Sequence, residues 1–323
     1  MSPQLVRRAI AGTVAATTLL GLAACSSDSA EAGGSDDGGT ETVTIGTLRG
    51  QPHFYAPFLY DEYAPEGVEF EVVVLDTAPS LTDAVISGAV DFAITGVVAT
   101  VASVAQDRDI TLVASAADGG FGFIGGEGVE TVADLTGKTV GYIQGSAPEI
   151  AMRLILQENG IDPSSVELIA VPPPEMASAL GSGSIDAFFG TEIAVSLATA
   201  AGANELTDPY ATPIGRVNLG LTTTGALIAE DPELVQQVVD THAETTEYMA
   251  DNVDEWLPEM VAEFGGDQGV FESALDNFWL RADLSEEYQT QVEALAEAMV
   301  GLGVIDTAPT AADLVDTSFA PSA

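Results

Sequence analysis

The feature that most constrains this chain is that it repeats itself. Lys138-Thr139-Val140-Gly141 answers Val43-Thr44-Ile45-Gly46, and residues 179–186 (ALGSGSID) answer residues 84–91 (AVISGAVD). The two patches share one offset, since 141 − 46 = 95 and 186 − 91 = 95. A period this long implies two similar lobes; a solenoid is built from shorter and more numerous units. In both copies a helix ends, Gly88 or Gly183 takes the left-handed cap, and the chain enters a buried strand.

Around the repeat, short apolar runs alternate with helical patterns. Strands are expected at 43–46, 70–75, 91–94 and 110–114, with helices at 81–87 and 98–105. This alternation predicts an α/β fold with mostly parallel sheets covered on both faces. After Leu221 the pattern changes. Asp231-Pro232 opens a helix with an N-cap and a proline in the first turn. Helices are expected to run to Ala250, over 254–264 and over 286–302. This tail shows no further strands and is expected to pack on one lobe.

The N-terminus carries a separate message. Arg7 and Arg8 precede an uncharged apolar stretch over 9–22, which is short for a permanent membrane span. Leu22-Ala23-Ala24-Cys25 follows, and Cys25 is the only cysteine. Together these have the three parts of a secretory signal. The Leu-Ala-Ala-Cys ending resembles a bacterial lipobox, which implies cleavage after residue 24 and a lipid on Cys25. Residues 26–42 are Ser, Gly, Asp and Glu with almost nothing apolar, and read as a flexible tether over 25–42. Formal net charge is −42, from 50 acidic and 8 basic residues. Losing the two leader arginines takes this to −42 − 2 = −44. Such a surface excludes nucleic acid as a partner and a polybasic grip on anionic lipid.

Further residues carry a family resemblance. Asp134-Leu135-Thr136-Gly137-Lys138-Thr139-Val140-Gly141 is followed by Gly145-Ser146-Ala147-Pro148, then by Pro174-Glu175-Met176-Ala177-Ser178-Ala179-Leu180. Asp186-Ala187-Phe188-Phe189-Gly190-Thr191-Glu192 completes the series. In order and spacing, from about Val43 to about Ile305, these resemble the nitrate, sulfonate and taurine solute-binding proteins of ABC importers. That family includes binders of thiamine pyrimidine precursors. The resemblance implies a type II periplasmic-binding fold, with two α/β lobes, two crossover strands and a closing cleft. Lobe 1 is expected over 43–121 with 223–323, and lobe 2 over 122–222. The crossovers are expected near 118–124 and 219–225. It further implies a monomer outside the cell membrane that captures a small molecule and docks on a permease with a cytoplasmic ATPase. A ligand-sensing domain for a membrane receptor is the alternative on the same fold. No cofactor is expected. A related pyrimidine synthase needs a lysine-bound pyridoxal group and a cysteine-rich segment, whereas here Lys138 is the sole lysine and opens a strand. An enzyme is therefore not expected.

In open α/β sheets, ligands bind beyond the carboxyl ends of the strands. Those turns are 47–55 and 95–99 in the first repeat, and 144–148 and 190–193 in the second. Helix N-termini there would offer free N–H groups to a carboxylate, sulfonate or nitrate. Arg49 either grips such an oxyanion at two points or pairs with local acids. Gln51 shares its turn, and Asn218 lies beside the second crossover. His53 either donates to the ligand or is a satisfied structural histidine. Phe54 and Tyr55 are candidates for an aromatic wall, or for the core. Thr95, Ser146 and Thr191 could supply hydroxyls, Ser146 doubling as a helix N-cap. Asp118 and Glu192, if they face the cleft, favour an amine or an N–H-bearing ring. The acids and Arg49 thus pull towards different ligands. His242 is expected on an exposed helix face, and two distant histidines argue against a metal site.

Overall fold

The computed structural model describes residues 40–75 and 77–321. The leader, Cys25 and nearly all of the tether lie outside the described residues. The first half of the described chain is β1 (Glu41–Thr47), β2 (Val68–Val74), α1 (Ala78–Ile86), β3 (Phe92–Gly96), α2 (Val97–Val104) and β4 (Thr111–Gly119). The second repeat is β5 (Phe121–Gly125), β6 (Thr139–Tyr142), α3 (Ala147–Glu158), β7 (Glu167–Ala170), α4 (Met176–Gly181), β8 (Ala187–Thr191), α5 (Glu192–Ala200) and β9 (Asn204–Glu205). The chain then returns through β10 (Leu219–Thr223), α6 (Gly225–Glu230), α7 (Pro232–Asp251), α8 (Val253–Phe264), α9 (Gln268–Leu275), β11 (Phe278–Leu280), α10 (Glu286–Gly301) and α11 (Ala311–Leu314).

Two sheets result, each the centre of one lobe. The first runs β11-β4-β10-β3-β1-β2 and the second β7-β6-β8-β5-β9. Among the named strands of the described residues, the parallel pairs are β2-β1-β3 and β7-β6-β8. The crossover strands β10 and β5 run antiparallel to their neighbours, so both sheets are mixed where alternation alone predicted mostly parallel ones. An antiparallel strand needs no helical crossover, and so leaves no trace in the αβ alternation.

The 95-residue repeat is a repeat of hydrogen bonds. The Asp91 carboxylate accepts from the Thr44 N–H at 2.8 Å and the Asp186 carboxylate from the Thr139 N–H at 2.9 Å. Each Asp N–H then donates to its threonine's carbonyl, at 3.0 Å and 2.8 Å. Strand register follows suit, with Ile45 opposite Phe92 and Val140 opposite Ala187. In each lobe the aspartate after the glycine turn pins the start of one strand to the start of its neighbour.

The chain passes from one sheet to the other at two sharply defined places. β4 ends at Gly119 in the first sheet and Phe121 already pairs in the second, so the first crossover is the pair Gly119-Gly120. Both glycines hold positive φ, 70° and 78°, a region that side chains disfavour. The return is complete by Leu219, which pairs in the first sheet.

The C-terminal tail was expected on one lobe and instead braces both. Tyr288, Val292, Leu295, Ala296 and Met299 of α10 share one buried apolar cluster with Val97 and Val101 of α2 and with Ile150 and Ile155 of α3. Each fully buried Val, Leu, Ile or Met side chain there contributes about 1.5–3 kcal/mol. The tail also supplies a strand, β11, which pairs with the edge of β4. Three residues of Phe-Trp-Leu carry too little alternation to register as a strand in sequence.

Candidate ligand-binding cleft

A cleft of about 670 Å³ opens between the two sets of βα turns. Its walls repeat the duplication. Lining positions Leu48, Arg49, Gly50 and Gln51 are matched 95 residues on by Ile143, Gln144, Gly145 and Ser146, which also line it. Ala78 and Pro79 are matched in the same way by Pro173 and Pro174, and Gly96 by Thr191. The cleft is therefore two half-sites of similar build facing each other, with Asn218, Leu219 and Gly120 of the crossovers also lining it.

Four helices start at this cleft. Their N-caps are Thr77 for α1, Gly96 for α2, Ser146 for α3 and Thr191 for α5, and all four residues line it. Each helix start carries partial positive charge and N–H groups without intrahelical partners. Ser146 Oγ caps α3 by accepting from the Glu149 N–H at 3.4 Å and donates to the Ile143 carbonyl at 2.6 Å. The Gly145 N–H is taken by the Glu149 carboxylate at 2.7 Å, so that donor is already used. Gly96 has no side-chain cap, and a Cβ placed there would meet open space.

Arg49 is the only formally charged residue among the described residues lining the cleft. Its Nη1 donates to Glu263 Oε1 of α8 at 3.0 Å, and its guanidinium lies 5.9 Å from the Phe264 ring centroid. Both partners are about half exposed, so this is a weak, solvent-screened pair at the rim. Arg49 thus pairs with an acid, as one of its two sequence readings expected, and also lines the cleft.

Of the other candidates, Gln51, His53, Ser146 and Asn218 also line the cleft. Asn218 Nδ2 donates to the Gly119 carbonyl at 2.7 Å, and its own carbonyl accepts from the Val97 N–H at 2.9 Å, which ties α2 to the crossover. His53 is buried between the rings of Phe54 and Phe278, at 4.4 and 4.9 Å. Burial pushes its pKa down to about 3, so it is a neutral ring at physiological pH. Phe54 lines the cleft as an aromatic wall.

Tyr55, Thr95, Asp118 and Glu192 are not among its lining residues. Tyr55 turns into the core and stacks on Phe58 and Trp256. Thr95 is fully buried, with its hydroxyl 3.2 Å from Thr100 and 3.1 Å from Thr222. Asp118 is held by Arg281 at 2.6 Å, and Glu192 accepts from Asn277 Nδ2 at 3.0 Å. His242, expected at the surface, is fully buried between Tyr60 and the Ser115 carbonyl, at 2.7 and 2.8 Å. Each of the five has at least one partner remote in sequence, which is why local patterns misplaced them.

Sequence reasoning missed Thr77, Pro79, Pro173, Pro174 and Phe271, all of which line the cleft. The 95-residue offset was the available signal for the turn after the second strand of each repeat, since it maps Pro79 onto Pro174. Phe271 comes from α9 in the tail and had no such signal.

Comparison with known proteins agrees with this architecture. The model of the NMT1/THI5-like family matches residues 62–256, more than half of the chain. Among curated proteins none matches in sequence. Among solved structures, the chain is similar to the periplasmic aliphatic sulphonate binding protein SsuA from Escherichia coli. That match has 18% identity over 87% of this chain and 93% of that one, with a TM-score of 0.73. It is similar also to the alkanesulfonate-binding protein SsuA from Xanthomonas axonopodis pv. citri bound to MOPS, at 17% identity over 87% and 99% of the two chains and a TM-score of 0.73. The desulfurization enzyme DSZB shares the fold as well, at 15% identity over 86% and 97% and a TM-score of 0.65. At such identities the structural matches speak for the fold. With the duplicated lobes, the two crossovers and the family match taken together, the chain belongs to the NMT1/THI5-like family.

Proposed function

We propose that this protein is the extracytoplasmic solute-binding component of an ABC importer, and that its ligand is a small organic anion held between the lobes. The observation that carries this reading is the convergence of four helix N-termini on one cleft whose single charged residue, among those described, is Arg49. In a chain with 50 acidic residues, no described Asp or Glu lines it. Asp76, between Leu75 and Thr77 in sequence, lies outside the described residues. Positive helix ends and a guanidinium favour a negative headgroup. The Leu, Ile, Val, Phe and Pro side chains around them suit an apolar body, and so an alkanesulfonate better than nitrate. With Asp118 and Glu192 away from the cleft wall, the case for an amine or aminopyrimidine loses its two acids. The half-sites differ in charge at one matched position, Arg49 against Gln144, which orients the anion towards the first lobe.

Lobes of this build close around a ligand that touches both. Lipid on Cys25 would keep the protein at the outer face of the membrane, where a permease with its cytoplasmic ATPase receives the solute. Lys138, the sole lysine, pairs with Asp186 at 3.3 Å and does not line the cleft, which speaks against pyridoxal chemistry there. Titration calorimetry on the chain beginning at Cys25 tests the reading. Ethanesulfonate or butanesulfonate should bind, and Arg49→Gln should weaken binding at least tenfold, the loss of one charge-assisted contact. Binding of an aminopyrimidine but of no sulfonate would overturn the anion assignment.

A further inference from the structure

Three hydrogen bonds close a ring at the floor of the cleft. The Gly120 N–H donates to the Asn277 carbonyl at 2.8 Å, the Glu192 N–H donates to the Gly120 carbonyl at 2.8 Å, and Asn277 Nδ2 donates to Glu192 Oε1 at 3.0 Å. The three residues belong to different parts of the machine. Asn277 precedes β11 in the first sheet, Gly120 is the crossover, and Glu192 opens α5 in the second lobe. Gly120 lines the cleft, as do Thr191 and Ile193 on either side of Glu192. The ring thus joins the two lobes where they meet behind the ligand space. Two of its bonds are backbone to backbone. The third depends on a carboxyl group that is 4% exposed.

A charge on that carboxyl is only partly compensated. Among the described residues it has no ion pair. The ionisable groups around it are Glu205 of β9, Asp276 beside Asn277, and the Tyr210 phenol, none of them a cation. The Asn277 amide and the N-terminal end of α5 favour the ionised form, but burial and the two acids outweigh them and push its pKa up to about 7.

We propose that the Glu192–Asn277 contact is a proton-operated latch between the lobes: protonated, it holds the seam behind the cleft shut, and ionised, it lets that seam open to water. The latch regulates the cleft described above, and its consequence for capture rests on that cleft being a ligand site. Tighter closure at mildly acidic pH would then raise ligand affinity, and neutral to alkaline pH would favour release. The latch itself is measured without ligand, so a failed ligand screen and a failed latch are separate results.

Hydrogen–deuterium exchange at pH 6 and pH 8, corrected for the intrinsic chemical rate, reads the seam directly. Ionisation is disfavoured in the shut seam and reverts to the ordinary value of 4.5 in the open one. Opening should therefore rise roughly tenfold between the two pH values, a factor of ten per pH unit where only the open form is ionised. The rise is expected in peptides from 192–200 and 268–280. Glu192→Gln, which keeps the acceptor oxygen but cannot ionise, should show slow exchange at both pH values. Asn277→Ala, which keeps the acid and loses its donor, should exchange faster than wild type at both pH values and still rise with pH. Equal protection of wild type at pH 6 and 8, or a pH response of Glu192→Gln matching that of wild type, overturns the proposal.

Discussion

Arg281 donates through Nη1 to Asp118 Oδ2 at 2.6 Å, tying the residue after β11 to the last turn of β4 before the crossover. The Asp118 side chain is 4% exposed, and the other side of the guanidinium is held by Asp283 through Nε at 2.8 Å. Removing the cation strands a buried carboxylate. Arg281→Met should therefore cost about 3 kcal/mol, the usual penalty for breaking a buried pair. Adding Asp118→Asn should recover most of that loss. Urea denaturation of the two variants measures both numbers.

The crossover glycines permit a sharper test. A Cβ on Gly120 would clash with the ring of Phe278 at Cε1, and the backbone there holds a φ of 78°. Both the clash and the conformation oppose a side chain. Gly120→Ala should destabilise by about 2 kcal/mol or more, read as a lower denaturation midpoint.

Gly96 is the opposite case. Its φ of −71° suits any residue, and a Cβ would meet nothing within 4 Å. Gly96→Leu should shift stability by less than about 1 kcal/mol while filling the space in front of α2. Unchanged thermal unfolding with lost ligand binding is the expected pair of results. Retained binding would place the ligand elsewhere.

The buried titratable groups act on stability with opposite signs. His53 and His242 have pKa values lowered by burial to about 3 and about 4, below their ordinary 6.5. The unfolded chain takes up those protons first, so stability falls as pH drops below 6.5. Glu192 is raised, so its contribution is present below pH 4.5 and is lost as pH rises through 7. Glu192→Gln removes that opposing contribution. Its stability should fall more steeply than wild type from pH 7 to pH 5, by about 1.4 kcal/mol per pH unit. Parallel profiles from urea titrations across this range would contradict a raised Glu192 pKa in the folded protein.

The repeat offers a paired prediction. Asp91 and Asp186 accept from equivalent threonine N–H groups at 2.8 and 2.9 Å, and Asp91 also accepts from the Thr44 hydroxyl at 2.6 Å. Asp91→Ala and Asp186→Ala each leave an N–H unpaired and should cost about 1–3 kcal/mol. Asp91→Ala should be the more costly of the two. Chemical denaturation of each variant gives the order.

What the sequence determined by itself is what local periodicity and duplication can carry. The apolar runs marked the repeat strands, and the 95-residue offset implied two lobes. The helix start at Ser146 was legible because a cap and its helix are adjacent in sequence. The same offset held the information that Pro79 and Pro174 are partners across the cleft. Which member of each turn faces the cleft was decided only in the folded molecule. Glu192 turns away while Thr191 and Ile193 line the wall, because Asn277, 85 residues distant, donates a hydrogen bond to its carboxyl group. Asp118 is claimed by Arg281 and Tyr55 by Trp256, both from the tail that the repeat does not describe. One step along a helix turns a side chain by about 100°, so its contacts depend on what long-range packing brings alongside, and periodicity holds no record of that.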